Sequence, residues 1–174
     1  HGRDRNGCSS PDFLRPGESI ITLSHLFRRT GPPLKQVLSR LPSDKQRIAW
    51  LAEKTAELTG LHLFPQYLTL LFEVDALFLN DDRHLNNIAV LEKDGRFDYC
   101  PIFDNGAALL SNTQTAPMDI EPAALIRSAR ARPFQTTFNR QVIHARRLFG
   151  PQLHIVRFQE EARKAKRGLW KKGK

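Results

Sequence analysis

Two short strings concentrate the side chains able to do chemistry: Asn80-Asp81-Asp82-Arg83-His84-Leu85-Asn86-Asn87 and Asp104-Asn105-Gly106. Phosphoryl transfer from a nucleotide needs a carboxylate beside the acceptor hydroxyl. It also needs an amide and a second carboxylate to hold the Mg²⁺ that bridges the phosphates. Asp82, Asn87 and Asp104 are the residue types that fill those three roles. Spacing alone does not select them. With 10 Asp and 7 Asn in 174 residues, composition supplies roughly 0.4 Asp–Asn pairs at any one separation. Three pairs share the separation of Asp82 and Asn87: Asp75/Asn80, Asp81/Asn86 and Asp82/Asn87 itself.

The segment between the two strings adds what spacing lacks. Asn87-Ile88-Ala89-Val90-Leu91 reads as a strand, Lys93-Asp94-Gly95 as a tight turn, and Phe97–Phe103 as the return strand. A turn centred between Asp94 and Gly95 makes residues whose numbers sum to 189 face each other, so Asn87 lies opposite Ile102. Adjacent strands run about 4.8 Å apart. Asp104 follows just past that pair, and Asp82 lies at the same end of the hairpin. Two oxygen ligands with a third carboxylate nearby suit Mg²⁺, a hard cation that keeps several waters and uses few protein ligands.

These residues resemble a known family. Asp82-Arg83-His84-x-x-Asn87 and Pro101-Ile102-Phe103-Asp104-Asn105-Gly106 are similar to the catalytic and metal-binding loops of HipA-like serine/threonine kinases. The first follows the D-x-x-x-x-N separation of protein kinases, and the second is a D-F-G motif with Asn in the middle. The resemblance extends upstream to Cys8-Ser9-Ser10-x-Asp12-Phe13-Leu14 and downstream to Ala131-Arg132-Pro133-Phe134, covering residues 7 to 155. The D-R-H-x-x-N string also occurs in phosphatidylinositol kinases, so it speaks for the kinase superfamily more than for a substrate. The resemblance implies a mainly α fold with a small β-hairpin, a protein-kinase-like C-terminal lobe. It implies ATP and Mg²⁺ as cofactors and a protein Ser/Thr acceptor. Asp82 is implied as base, and Asn87 and Asp104 as metal and cofactor ligands. His84 falls where many protein kinases place a phosphate-contacting Lys, and either contacts phosphate or buttresses the loop. Arg83 is expected to anchor the loop through a carboxylate, Asp75 or Asp81.

A kinase also needs a β-rich lobe with a Gly-rich loop over the phosphates and a pairing Lys. Neither G-x-G-x-x-G, G-x-x-x-x-G-K nor a V-A-I-K-like string occurs in the 174 residues. The N-terminal β-lobe is therefore expected to be absent from this chain, which on its own is expected to turn over little ATP. An N-lobe or antitoxin-like protein, of the toxin–antitoxin kind, is the implied partner.

The elements that must position these residues are read from periodicity and caps. Residues 1–33, rich in Gly, Pro, Ser and Arg, read as an irregular segment at the inter-lobe junction, apart from a short apolar stretch at Ser19–Phe27. Residues 34–155 form the kinase-like lobe. A helix is predicted over Leu34–Leu41. The next is bounded by a capping box, Ser43 with Gln46, and by Gly60, with Ile48, Leu51, Ala52, Thr55 and Ala56 on one face. Phe64–Leu79 is apolar nearly all round and belongs at the centre of the domain. Asp75 inside it is read as structural, hydrogen-bonding the backbone of the following loop, because a buried carboxylate needs donors. A looser stretch runs from residue 106 to Pro133. Two helices follow, with stripes at Phe138, Val142, Ala145, Phe149 and at Ile155, Phe158, Ala162, Ala165, Leu169. Residues 156–174 are predicted as a basic helix and frayed tail.

Composition bounds the remaining classes. The 40% hydrophobic content supports one cored domain. No apolar run is long enough to span a bilayer and no signal-peptide pattern opens the chain, so no membrane partner is expected. Two cysteines without a C-x-x-C pair exclude a disulfide scaffold and a cysteine zinc site, and fit a reducing cytoplasm. The net charge of +9 is uneven: residues 121–174 hold 14 Lys and Arg against 3 Asp and Glu, while residues 1–120 hold 13 against 15. That basic third either attracts nucleic acid or is a solvated helix face. Two competing functions follow. One is a catalytically inactive kinase-fold fragment binding protein or nucleic acid through the basic third. The other is a metal-dependent hydrolase using Asp81, Asp82, His84 and Asp104, in which Asn87 has no role. The string from Glu161 to Trp170 resembles the end of staphylococcal-type nucleases, without that family's catalytic strands.

Overall fold

The computed structural model describes residues 12–31, 33–111, 117 and 119–153. The predicted helix over 155–169, the tail, and the Cys8-Ser9-Ser10 string lie outside the described residues. The described chain is mainly helical with a small three-stranded antiparallel sheet. In order it runs β1 (Ser19–Thr22), α1 (Leu23–Arg28), α2 (Leu34–Arg40), α3 (Asp44–Thr59), α4 (Phe64–Phe78), β2 (Ala89–Lys93), β3 (Arg96–Tyr99), a 3₁₀ turn (Ala108–Leu110), α5 (Pro122–Ser128) and α6 (Phe138–Phe149).

The capping signals act as their chemistry requires. The Ser43 hydroxyl accepts from the Gln46 N–H at 3.3 Å and donates to the Gln46 Oε1 at 2.9 Å, starting α3. Gly60, at φ 74°, ends it in the left-handed conformation that a Cβ would resist. Helix α4 is the centre of the core. Phe64, Leu68, Leu71 and Phe72 are buried along it, and α3 and α6 pack against it. The hairpin closes through Asp94 and Gly95, both at positive φ, with Lys93 opposite Arg96 and Val90 opposite Tyr99. That is the register expected from a turn centred on those two residues.

Four expectations need correction. Residues 1–33 are expected to be irregular apart from an apolar stretch at Ser19–Phe27, and that stretch carries regular structure not assigned from the sequence: 19–22 form β1 and 23–28 form α1, with Leu23, Leu26 and Phe27 in the core. Strand β1 pairs antiparallel with β2, Ile21 opposite Val90, so the expected hairpin is part of a three-stranded sheet. The hairpin strands are shifted, 89–93 and 96–99 rather than 87–91 and 97–103. Asn87 is instead drawn into the preceding loop, where its N–H bonds the His84 carbonyl at 2.8 Å. Finally, the stretch after residue 106 contains the short helix α5, opened by Pro122.

Among the described residues, no helix is long and apolar enough to cross a membrane.

Candidate functional site

The site is built outward from the end of α4. Asp75, 1% exposed, sits one turn before the Leu79 cap. Its carboxylate accepts from Arg83 Nε at 2.9 Å, Arg83 Nη2 at 2.9 Å and Asn80 Nδ2 at 2.9 Å. The remaining Arg83 donors reach elsewhere. Nη1 donates to the Asn87 carbonyl at 3.0 Å and to the Phe103 carbonyl, and Nη2 donates to Asn105 Oδ1 at 2.6 Å. A guanidinium carries five N–H donors in a rigid fork. Here that fork joins three separate pieces of chain: the end of α4, the loop 80–87, and the loop 103–105.

The Arg83 side chain is fully buried. An isolated buried charge is costly, so the ion pair and the carbonyl acceptors are what make its burial tolerable. Burial raises the Asp75 pKa, against the pull of the Arg83 hydrogen bonds and charge and of the Asn80 amide. Of the two carboxylates offered for Arg83 by the sequence, Asp75 is the one used. The Asp75 carboxylate does not bond the backbone of the following loop as expected: its donors are the Arg83 and Asn80 side chains, and the one loop N–H that Asp75 accepts, from Asn80, goes to its main-chain carbonyl.

Asp82 and Asn87 are brought together directly. The Asn87 Nδ2 donates to the Asp82 carbonyl at 3.1 Å, and the His84 N–H donates to the same carbonyl at 2.7 Å. With Nδ2 so engaged, Oδ1 is the Asn87 atom left for a cation. The Asp82 carboxylate is 46% exposed and flanked by two basic groups, Arg132 Nη1 at 3.4 Å and His84 Nε2 at 4.0 Å. The His84 Nδ1 is buried with no hydrogen-bond partner among the described residues. Asp104 is exposed and adopts φ 54°, in the left-handed region. Asp tolerates that region better than most residues, and such outliers concentrate at functional sites. Its neighbours on both sides are the ones Arg83 holds, Phe103 by its carbonyl and Asn105 by its side chain.

No protein-family model, curated protein or solved structure matches the chain significantly.

The oxygen donors of Asn87 and Asp104 fit a hard divalent cation such as Mg²⁺. No cluster of three or more His, Cys, Asp or Glu side chains suited to a metal occurs among the described residues. Asp81, Asp82, His84 and Asp104 therefore do not form the ligand group that the hydrolase reading requires.

Arg132 is the residue whose place the sequence did not reveal. Ala131 and Thr136 bridge through paired backbone hydrogen bonds, closing the intervening loop. Phe134 packs edge-on against Phe72 of α4, with ring centroids 6.1 Å apart. Gln141 of α6 donates to the Arg132 carbonyl at 3.1 Å. These contacts anchor the loop so that the Arg132 guanidinium reaches Asp82. The sequence marked Arg132 as part of the Ala131-Arg132-Pro133-Phe134 string, with no sign of its approach to Asp82.

Proposed function

We propose that this chain is a phosphotransferase catalytic lobe of the HipA-like kind, transferring the γ-phosphate of ATP to a protein Ser or Thr hydroxyl. Asp82 accepts the hydroxyl proton while the acceptor oxygen bonds to the γ-phosphorus. The bond from that phosphorus to the β–γ bridging oxygen breaks, and ADP leaves. Asn87 and Asp104 are the residues that would hold Mg²⁺, which when bound neutralises charge on the phosphate oxygens. His84 and Arg132 flank the Asp82 carboxylate and fix its orientation toward the acceptor.

One observation carries this reading. The buried Arg83 fork holds the loop of Asp82 and Asn87 and the loop of Asp104 to a single guanidinium. An acidic loop that merely capped a helix would have no need to be fastened to a second loop beyond a hairpin. The polyanion-binding alternative gains less, because three arginines of the basic third lie near carboxylates: Arg132 by Asp82, Arg140 by Asp44 and Arg146 by Glu73.

The test is Mn²⁺ binding in the presence of ADP, read by electron paramagnetic resonance on the full chain. One tight ion is expected. Asn87→Ala and Asp104→Ala should each weaken it by about 10–100-fold, whereas Asp82→Asn should change it little. Unaltered Mn²⁺ affinity in both alanine variants would defeat the assignment. For the reaction itself, Asp82→Asn should lower phosphoryl transfer about 10²–10⁴-fold wherever it is measurable.

A further inference from the structure

A cleft of about 730 Å³ opens beside Asp82, between the α1–α2 connection and the loop 132–135. Its charge is one-sided. Arg28, Lys35 and Arg132 line it together with His84, and among the described residues no Asp or Glu does. Two of these, His84 and Arg132, are the groups that flank the Asp82 carboxylate, so one end of the cleft is the proposed reaction centre. Arg28 and Lys35 are exposed, and neither forms an ion pair among the described residues. Asp82 partly offsets Arg132, whereas Arg28 and Lys35 have no counter-charge among the described residues, and such like charges in a concave site raise the local concentration of anions.

Between the cationic groups the walls are aliphatic: Pro33, Leu34, Leu85 and Pro133. Among the described residues, no aromatic side chain lines the cleft. Single-stranded nucleic acids are held by aromatic platforms on which bases stack, and the described residues of this cleft offer none. An acidic peptide matches both features, its carboxylates meeting the basic groups and an aliphatic side chain meeting the prolines and leucines.

We propose that this cleft is the acceptor subsite, and that it takes a protein segment whose Ser or Thr is flanked by acidic residues. The assignment rests on the phosphotransferase reading for its role, yet binding can be tested without nucleotide or metal. Arg28 and Lys35 bind the flanking carboxylates at the far end, and Arg132 lies between the acidic segment and Asp82.

The experiment is fluorescence anisotropy on the full chain, without ATP or Mg²⁺. The probe is a labelled octapeptide with one serine, one leucine and six glutamates, compared with its all-glutamine twin. The acidic peptide is expected to bind at least about tenfold more tightly, an advantage that shrinks with added salt. Arg28→Glu with Lys35→Glu should abolish that preference, and Arg28→Gln with Lys35→Gln should reduce it. Both pairs lie on the surface, and matching circular dichroism melts establish that the variants fold. Equal affinity for the two peptides, or a preference that survives the Glu double variant, overturns the proposal. So does tighter binding of an oligouridylate of equal charge that the same double variant removes. Loss of Mn²⁺ binding in Asn87→Ala or Asp104→Ala bears on the reaction and leaves this peptide result unaffected, so the two claims fail separately.

Discussion

Helix α4 carries two buried carboxylates, Glu73 and Asp75, and each is met by an arginine from elsewhere in the chain. Two residues apart on a helix, they point to nearly opposite faces. Glu73 accepts from Arg146 at 2.5 Å and from the backbone N–H groups of Gln152 and Leu153. It ties the end of α6 and the chain after it to the core. Asp75 instead ties down loops, through a guanidinium that also holds Asn87, Phe103 and Asn105. The arginines differ most in solvation: Arg146 is 42% exposed and Arg83 not at all. One anchor fastens scaffold to scaffold and leaves its cation half in water. The other sinks its cation completely and uses it as the joint of the candidate site.

That difference predicts unequal responses. Asp75→Ala leaves a fully buried guanidinium without its counter-charge and should cost about 3–5 kcal/mol in urea unfolding. Replacing both partners, Asp75→Leu with Arg83→Met, should recover much of that stability while Mn²⁺ binding stays lost. Glu73→Ala should cost less, about 1–3 kcal/mol, because Arg146 can turn to water, and the site should keep its Mn²⁺ affinity. Equal costs at the two anchors, or Mn²⁺ binding lost at both, would erase the distinction. Ser43→Ala, which touches neither anchor, supplies a baseline of about 1 kcal/mol from the lost cap.

The smallest effect lies at Cys100, buried against the outer face of the sheet beside Phe103. Burial pushes its thiol from 9.0 up to about 11. The unfolded chain therefore releases this proton at lower pH than the folded one, so its contribution to stability is lost as pH climbs from 9 toward about 11. Slow alkylation at neutral pH should persist in Glu73→Ala and accelerate in Asp75→Ala, where the neighbouring loop loosens.

Local chemistry was legible in the sequence, and long-range pairing was not. The Ser43 and Gly60 caps, the Asp94-Gly95 turn and its register follow from rules that reach only a few residues. Strand β1 escaped because its four residues have no alternation of their own, its strand conformation being set by pairing with the distant β2, Ile21 opposite Val90. The Asp75–Arg83 pair was half visible, since a buried acid demands a donor. That Arg83 also holds the Phe103 carbonyl was not, because a backbone acceptor leaves no mark on residue type. Arg132 was hidden for a similar reason: its approach to Asp82 depends on how Phe134 seats against α4.

The central claim is that Arg83 holds two loops so that Asn87 and Asp104 share one divalent ion beside Asp82. Paramagnetic broadening by substoichiometric Mn²⁺ in ¹⁵N-labelled chain tests it most directly. The amide signals of Asp82, Asn87 and Asp104 should fade together, and in Asp75→Leu with Arg83→Met they should no longer do so. Broadening of the two loops at different Mn²⁺ concentrations, or of other surface carboxylates first, would contradict it.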